Sequence, residues 1–81
     1  MIIEIIGSNC EKGVDLYNKV IKISEETSPY IQVLKANSEY SVNKYRIKDK
    51  PGLVINRKLI SEGIIFSDEE IKEIISKIKI K

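Results

Sequence analysis

The chain has 81 residues, a net charge of +2 and 42% apolar residues, enough for one small core, so residues 1–81 are expected to form a single domain. With no histidine and one cysteine, the usual zinc, haem-attachment and iron–sulfur spacings and the histidine-based triads are absent, and neither metal nor cofactor is expected. Lysines far outnumber arginines and the apolar runs fall well short of the ~20 residues that span a bilayer, so neither nucleic acid nor membrane is an expected partner.

Ile2, Ile3, Glu4, Ile5 and Ile6 are β-branched and apolar on both faces apart from Glu4, which predicts a short strand buried within a sheet. Gly7, Ser8 and Asn9 break it. From Glu11 to about Thr27, apolar residues fall at Val14, Tyr17, Val20 and Ile21, with Leu16 and Ile23 widening the stripe, which predicts an amphipathic helix that Ser28 and Pro29 end. Tyr30 to Leu34, around Ile31, Val33 and Leu34, predicts a second strand, parallel to the first because a helix connects them. Asn37 or Ser38 caps a short helix through about Tyr45, with Tyr40 and Val42 turned inward.

Lys50-Pro51-Gly52 is a turn signal ahead of a third strand, Leu53-Val54-Ile55, and Asn56-Arg57 predicts a tight hairpin to a fourth, Lys58-Leu59-Ile60. Ser67-Asp68-Glu69-Glu70 forms a capping box. After it Ile71, Ile74, Ile75 and Ile78 recur at helical spacing, and Lys77, Lys79 and Lys81 suit the dipole at the far end. The order is β-α-β-α-β-β-α, an α/β chain with a four-stranded mixed sheet flanked by helices.

The sole cysteine, Cys10, sits where the first strand ends and the first helix begins. Unpaired N–H groups and the positive dipole end favour thiolate over thiol there, which is where a redox protein keeps its sulfur. In a Cys-x-x-Cys arrangement the partner thiol stands three residues on. That position is Gly13, so Cys10 closes no disulfide within the chain. A lone thiol suits a reducing compartment, and the N-terminal stretch has neither a basic leader nor a small-residue cleavage site, so a cytoplasmic location is expected.

This order, with a cysteine at the first strand-to-helix junction and a proline just before the third strand, resembles the thioredoxin fold in its minimal, glutaredoxin-sized form. More narrowly, Ile5-Ile6-Gly7-Ser8-Asn9-Cys10, Lys50-Pro51-Gly52-Leu53-Val54-Ile55-Asn56 and Glu62-Gly63 ahead of Ser67 resemble the small thioredoxin-like "redox-active disulfide" proteins of archaea and anaerobic bacteria. Three positions depart from that pattern: Gly13, where the second cysteine is expected; Lys50, where a threonine commonly precedes the proline; and Arg46, where glycine is common. The resemblance implies a cis Lys50–Pro51 peptide facing Cys10, with backbone groups beside it free to pair with an extended partner. Along the groove for that partner it places Asn9, Gly13, Pro51 and Gly52, and it leaves Lys12 and Lys50 to tune a Cys10 thiolate.

Two readings from different classes follow. In the first, Cys10 attacks a protein disulfide or takes up a low-molecular-weight thiol, and with no resolving sulfur the mixed disulfide waits for an external thiol. In the second, the fold is redox-inactive, Cys10 is merely packed, and the groove beside Lys50 and Pro51 holds an extended protein segment. The Cys-Gly-Phe-Ser and Gly-Gly-x-Asp runs of monothiol glutaredoxins are missing. Glu4, an acid in a buried strand, is read either as a proton relay or, preferably, as the surface partner of a neighbouring-strand lysine such as Lys35. Between Tyr40 and Lys50, basic residues at 44, 46, 48 and 50 interleave with Tyr40 and Tyr45. That segment is read as a solvated face beside buried rings, with docking of an acidic protein left open.

Overall fold

A computed structural model of the chain describes residues 1–27 and 30–79. Its elements are β1 (Ile2–Ile6), α1 (Glu11–Thr27), β2 (Gln32–Ala36), α2 (Glu39–Lys44), β3 (Gly52–Ile55), β4 (Lys58–Glu62) and α3 (Asp68–Lys79), in the order read from the sequence. The strands lie β2-β1-β3-β4, with β1 parallel to β2 and antiparallel to β3, and β3 antiparallel to β4. The Ser28–Pro29 helix stop, Lys81 and the Lys79 side chain lie outside the described residues.

Paired along both edges, β1 is apolar on both faces for a reason. Ile3 and Ile5 enter the main core with Leu16, Val20 and Ile23 of α1, Leu53 and Ile55 of β3, and Ile71 and Ile75 of α3. Ile6 points the other way, into a smaller cluster with Val54 and Ile47. No helix among the described residues is long and apolar enough to cross a membrane.

Several expected details are corrected. The buried stripe of α1 is Gly13, Leu16, Val20, Ile23 and Ser24, with Tyr17 packed beside it, whereas Val14 is 48% exposed. The stripe is rotated because the helix must press Gly13 onto the turn that leads into it. β2 begins two residues later than expected, in register from Ile2–Gln32 to Ile6–Ala36, so Tyr30 falls outside the strand and is exposed. That register also undoes the Glu4–Lys35 pair. Lys35 lies opposite Ile5 and so on the other face from Glu4, and its ammonium sits 4.5 Å from the centre of the Tyr17 ring. Glu4 instead accepts a hydrogen bond from the Tyr45 hydroxyl at 3.1 Å.

Ser38 is the residue that caps α2, its hydroxyl accepting from the Ser41 N–H. Tyr40 is exposed rather than inward, because a helix of six residues turns one edge to the sheet and the partly buried Val42 occupies it. The helix ends in a Schellman closure: Ile47 N–H donates to Val42 O at 2.9 Å, Arg46 N–H donates to Asn43 O at 3.2 Å, and Ile47 and Val42 share a cluster. Such a closure needs a left-handed residue, and Arg46 supplies it at φ 53°. This gives physical sense to the glycine common at that position. Arg46→Gly is expected to stabilise the protein by about 0.5–1 kcal/mol in urea denaturation, the relief of left-handed strain outweighing glycine's greater unfolded-state freedom.

The β3–β4 hairpin turns on Asn56 and Arg57, both with positive φ (50° and 66°), the geometry of a type I′ turn whose twist matches its strands. At α3, Ser67 N–H donates to Glu70 Oε1 at 3.0 Å and Glu70 N–H donates to Ser67 Oγ at 3.2 Å, closing the capping box.

Candidate functional site

The chain leaves β1 at Gly7, whose φ of 77° turns it sharply and whose N–H donates to Ala36 O at 3.1 Å. Ser8 follows, buried, and both its N–H and its hydroxyl donate to Asn37 Oδ1, at 2.6 and 3.0 Å. The turn carrying the cysteine is thereby tied to the segment that follows β2.

Cys10 is the N-cap of α1. Its carbonyl accepts from Val14 N–H at 2.9 Å, and its sulfur accepts from Gly13 N–H at 3.3 Å, the bond that a serine or aspartate oxygen makes at this position. The thiol in turn donates to Gly7 O at 3.4 Å. The residue is half-buried.

Gly13 is enclosed. A Cβ placed on it would stand 2.5 Å from Gly7 O and 2.7 Å from Ser8 Cα, both backbone atoms. The position that would hold a second sulfur is therefore filled by the turn itself.

On the neighbouring strand, Gly52 pairs with Ile6, which sets Pro51 and Lys50 beside Gly7. A Cβ on Gly7 would stand 2.8 Å from Lys50 Cγ and Cδ, so the aliphatic stem of Lys50 lies over that glycine. The Lys50–Pro51 peptide is cis. Pro51 is buried and its carbonyl accepts from Gly63 N–H at 2.8 Å, while the Lys50 backbone takes no partner among the described residues.

The order of the elements, the mixed sheet and this junction agree with one comparison: the model of the thioredoxin-domain family matches residues 1–76. The chain belongs to that family. No curated protein and no solved structure matches it.

In this thioredoxin domain, Gly7 is the point at which the candidate residues meet, since Cys10, Gly13 and Lys50 each approach it. Lys12 and Asn9 are exposed beside the turn. The sulfur's hydrogen bonds run to backbone groups of Gly7 and Gly13, and neither Lys12 nor Lys50 makes one to it. Lys50 instead lines a cleft with Asn37, Glu39, Val42 and Asn43 on the α2 side. Among the described residues no cluster of histidine, cysteine and acids stands ready to hold a metal.

Sequence reasoning missed Ser8 and Asn37 as parts of the site. The one signal available was the adjacency of two cap-forming residues, Asn37 and Ser38, ahead of a helix that needs one; the spare one serves Ser8.

Proposed function

We propose that this thioredoxin-domain protein carries out thiol redox chemistry through Cys10 alone, by exchange with a disulfide of a protein or of a low-molecular-weight thiol, in a reducing compartment such as the cytoplasm. The observation that carries the reading is the position of the sulfur as the N-cap acceptor of α1, half-buried, with the Gly13 N–H aimed at it. The Cys10 thiolate attacks one sulfur of a partner disulfide. A Cys10–partner S–S bond forms, the partner's own S–S bond breaks, and its second sulfur leaves as thiolate. An external thiolate then attacks the partner's sulfur in the mixed disulfide: an external–partner S–S bond forms, the Cys10–partner bond breaks and Cys10 leaves as thiolate, and a second external thiol releases the partner's sulfur and carries the oxidation away as the external disulfide. Lys12 and Lys50 add positive charge around the turn, and the Lys50 backbone beside Pro51, without a partner among the described residues, offers an extended partner a place to pair, with Asn9 exposed nearby and Gly52, itself paired with Ile6 and Glu62, bordering it.

The test is alkylation of Cys10 by iodoacetamide at neutral pH against an unstructured peptide thiol. A rate about tenfold faster is expected, and equal rates overturn the reading. Cys10→Ser keeps an N-cap acceptor and its fold but forms no mixed disulfide, whereas Cys10→Ala loses the cap and is expected to cost about 0.5–2 kcal/mol in denaturant unfolding.

A second reading, a redox-inactive module that holds an extended segment at Lys50 and Pro51, draws on the same unpaired backbone. Under it, Cys10→Ser retains full partner binding and biological effect, and loss of either argues for the thiol.

A further inference from the structure

Charge is divided unevenly along this chain. Residues 40–60 hold Lys44, Arg46, Lys48, Lys50, Arg57 and Lys58 against the single acid Asp49, a local balance of +5; since the whole chain carries +2, the remainder sums to −3. The ion pairs among the described residues, Asp15–Lys19, Lys22–Asp68 and Glu73–Lys77, all lie on α1 and α3. The six cations of 40–60 therefore have no acidic partner among the described residues.

Two of them flank a bare part of the sheet. α1 and α3 cover one face, but the other face has only the short α2, packed over Ile6 and Val54. Further along that face Ile2 and Leu34, on neighbouring strands, remain 44% and 39% exposed. They floor a cleft rimmed by Lys44, from the end of α2, and Arg57, from the β3–β4 turn. Asn56 pins that turn to β1, donating its N–H to Ile2 O at 2.8 Å and accepting from Ile2 N–H at 3.0 Å through Oδ1, so Arg57 stands on a fixed support. The cleft's own acid, Glu4, is engaged by the Tyr45 hydroxyl.

We infer that this cleft docks an acidic protein segment, which lays an aliphatic side chain across Ile2 and Leu34 and sets carboxylates against Lys44 and Arg57. Desolvating the exposed aliphatic floor supplies affinity, and the two cations supply orientation and encounter rate. A nucleic-acid strand matches less well, because the floor formed by Ile2 and Leu34 is aliphatic where single strands seek aromatic stacking. The cleft lies at the amino end of β1 and Cys10 beyond its carboxyl end, so a partner seated there leaves the sulfur uncovered. The inference is independent of whether Cys10 reacts.

An NMR titration of the full reduced chain tests it, using three probes: a capped pentapeptide alternating glutamate and leucine, its glutamine–leucine counterpart, and a single-stranded oligonucleotide of similar charge. The glutamate peptide is expected to shift the amides of Ile2, Leu34, Tyr45 and Arg57 saturably, and to bind roughly fivefold more weakly when salt rises from about 50 to about 300 mM. The glutamine peptide should bind about tenfold more weakly, as should the glutamate peptide to the Lys44→Glu/Arg57→Glu double variant. Leu34→Ser should weaken binding about fivefold and leave its salt dependence unchanged. Absence of saturable shifts at these amides, equal binding of the glutamine peptide, or tighter binding of the oligonucleotide on this face would each overturn the proposal.

Discussion

Gly13→Ala is expected to lower the thermal unfolding midpoint by roughly 5–15 °C. In an open helical position the same change stabilises by about 1 kcal/mol, because alanine is the better helix former. At Gly13 the added carbon meets Gly7 O at 2.5 Å and Ser8 Cα at 2.7 Å. Neither atom can swing aside as a flexible side chain would, so the turn must shift, at an overpacking cost of about 1–3 kcal/mol. In a domain of this size each kcal/mol moves the midpoint by about 4–8 °C. The sign of the change thus decides the matter: a stabilised Gly13→Ala protein would mean that the turn does not press on the helix. Gly13→Cys carries the same penalty before its sulfur is placed, so restoring a second cysteine does not by itself restore a dithiol site.

Asn37→Ala is expected to cost about 2–4 kcal/mol in denaturant unfolding, a large effect for a side chain on the surface. The reason is what it leaves behind. Ser8 is 3% exposed, and both its N–H and its hydroxyl depend on Asn37 Oδ1. A buried donor stripped of its acceptor costs about 1–3 kcal/mol, and two are stripped at once. Asn37→Asp keeps an oxygen that accepts both donors and should stay within about 1 kcal/mol of wild type. Ser8→Ala gives up the hydroxyl but keeps the amide bond, so it should fall between the two. If Asn37→Ala and Asn37→Asp unfold alike, the double acceptor role is wrong.

Features specified by near neighbours in the chain were legible in the sequence. The capping box at Ser67 and Glu70 spans three residues, and the Asn56–Arg57 turn spans two, so each carries its own signal. β1 was legible because four isoleucines interrupted only by Glu4 suit a strand covered on both faces. The placement of Cys10 at the helix start followed from the same break in pattern. Less legible was anything set by pairing between segments. The bounds of β2 are one case: Tyr30 lies ahead of the stretch that pairs with β1 from Ile2–Gln32 to Ile6–Ala36, and its own residue type does not reveal where that pairing begins. Helical spacing allowed Val14 into the stripe of α1, and only contact with the Gly7–Ser8 turn selected Gly13 instead.

From the sequence by itself came the order of the seven elements, the sulfur at a strand-to-helix junction and the lack of a second thiol, because local propensity, periodicity and composition encode these, while the family resemblance rested on the runs around Cys10, Pro51 and Gly63. Only the tertiary structure decided that Gly13 is enclosed by backbone, that Asn37 serves Ser8 across 29 residues, and that Glu4 meets Tyr45 across 41. Those outcomes depend on strand register and on which face of a helix meets a turn. Such relations between distant segments are settled when the whole core packs at once, and no single stretch of the chain contains them.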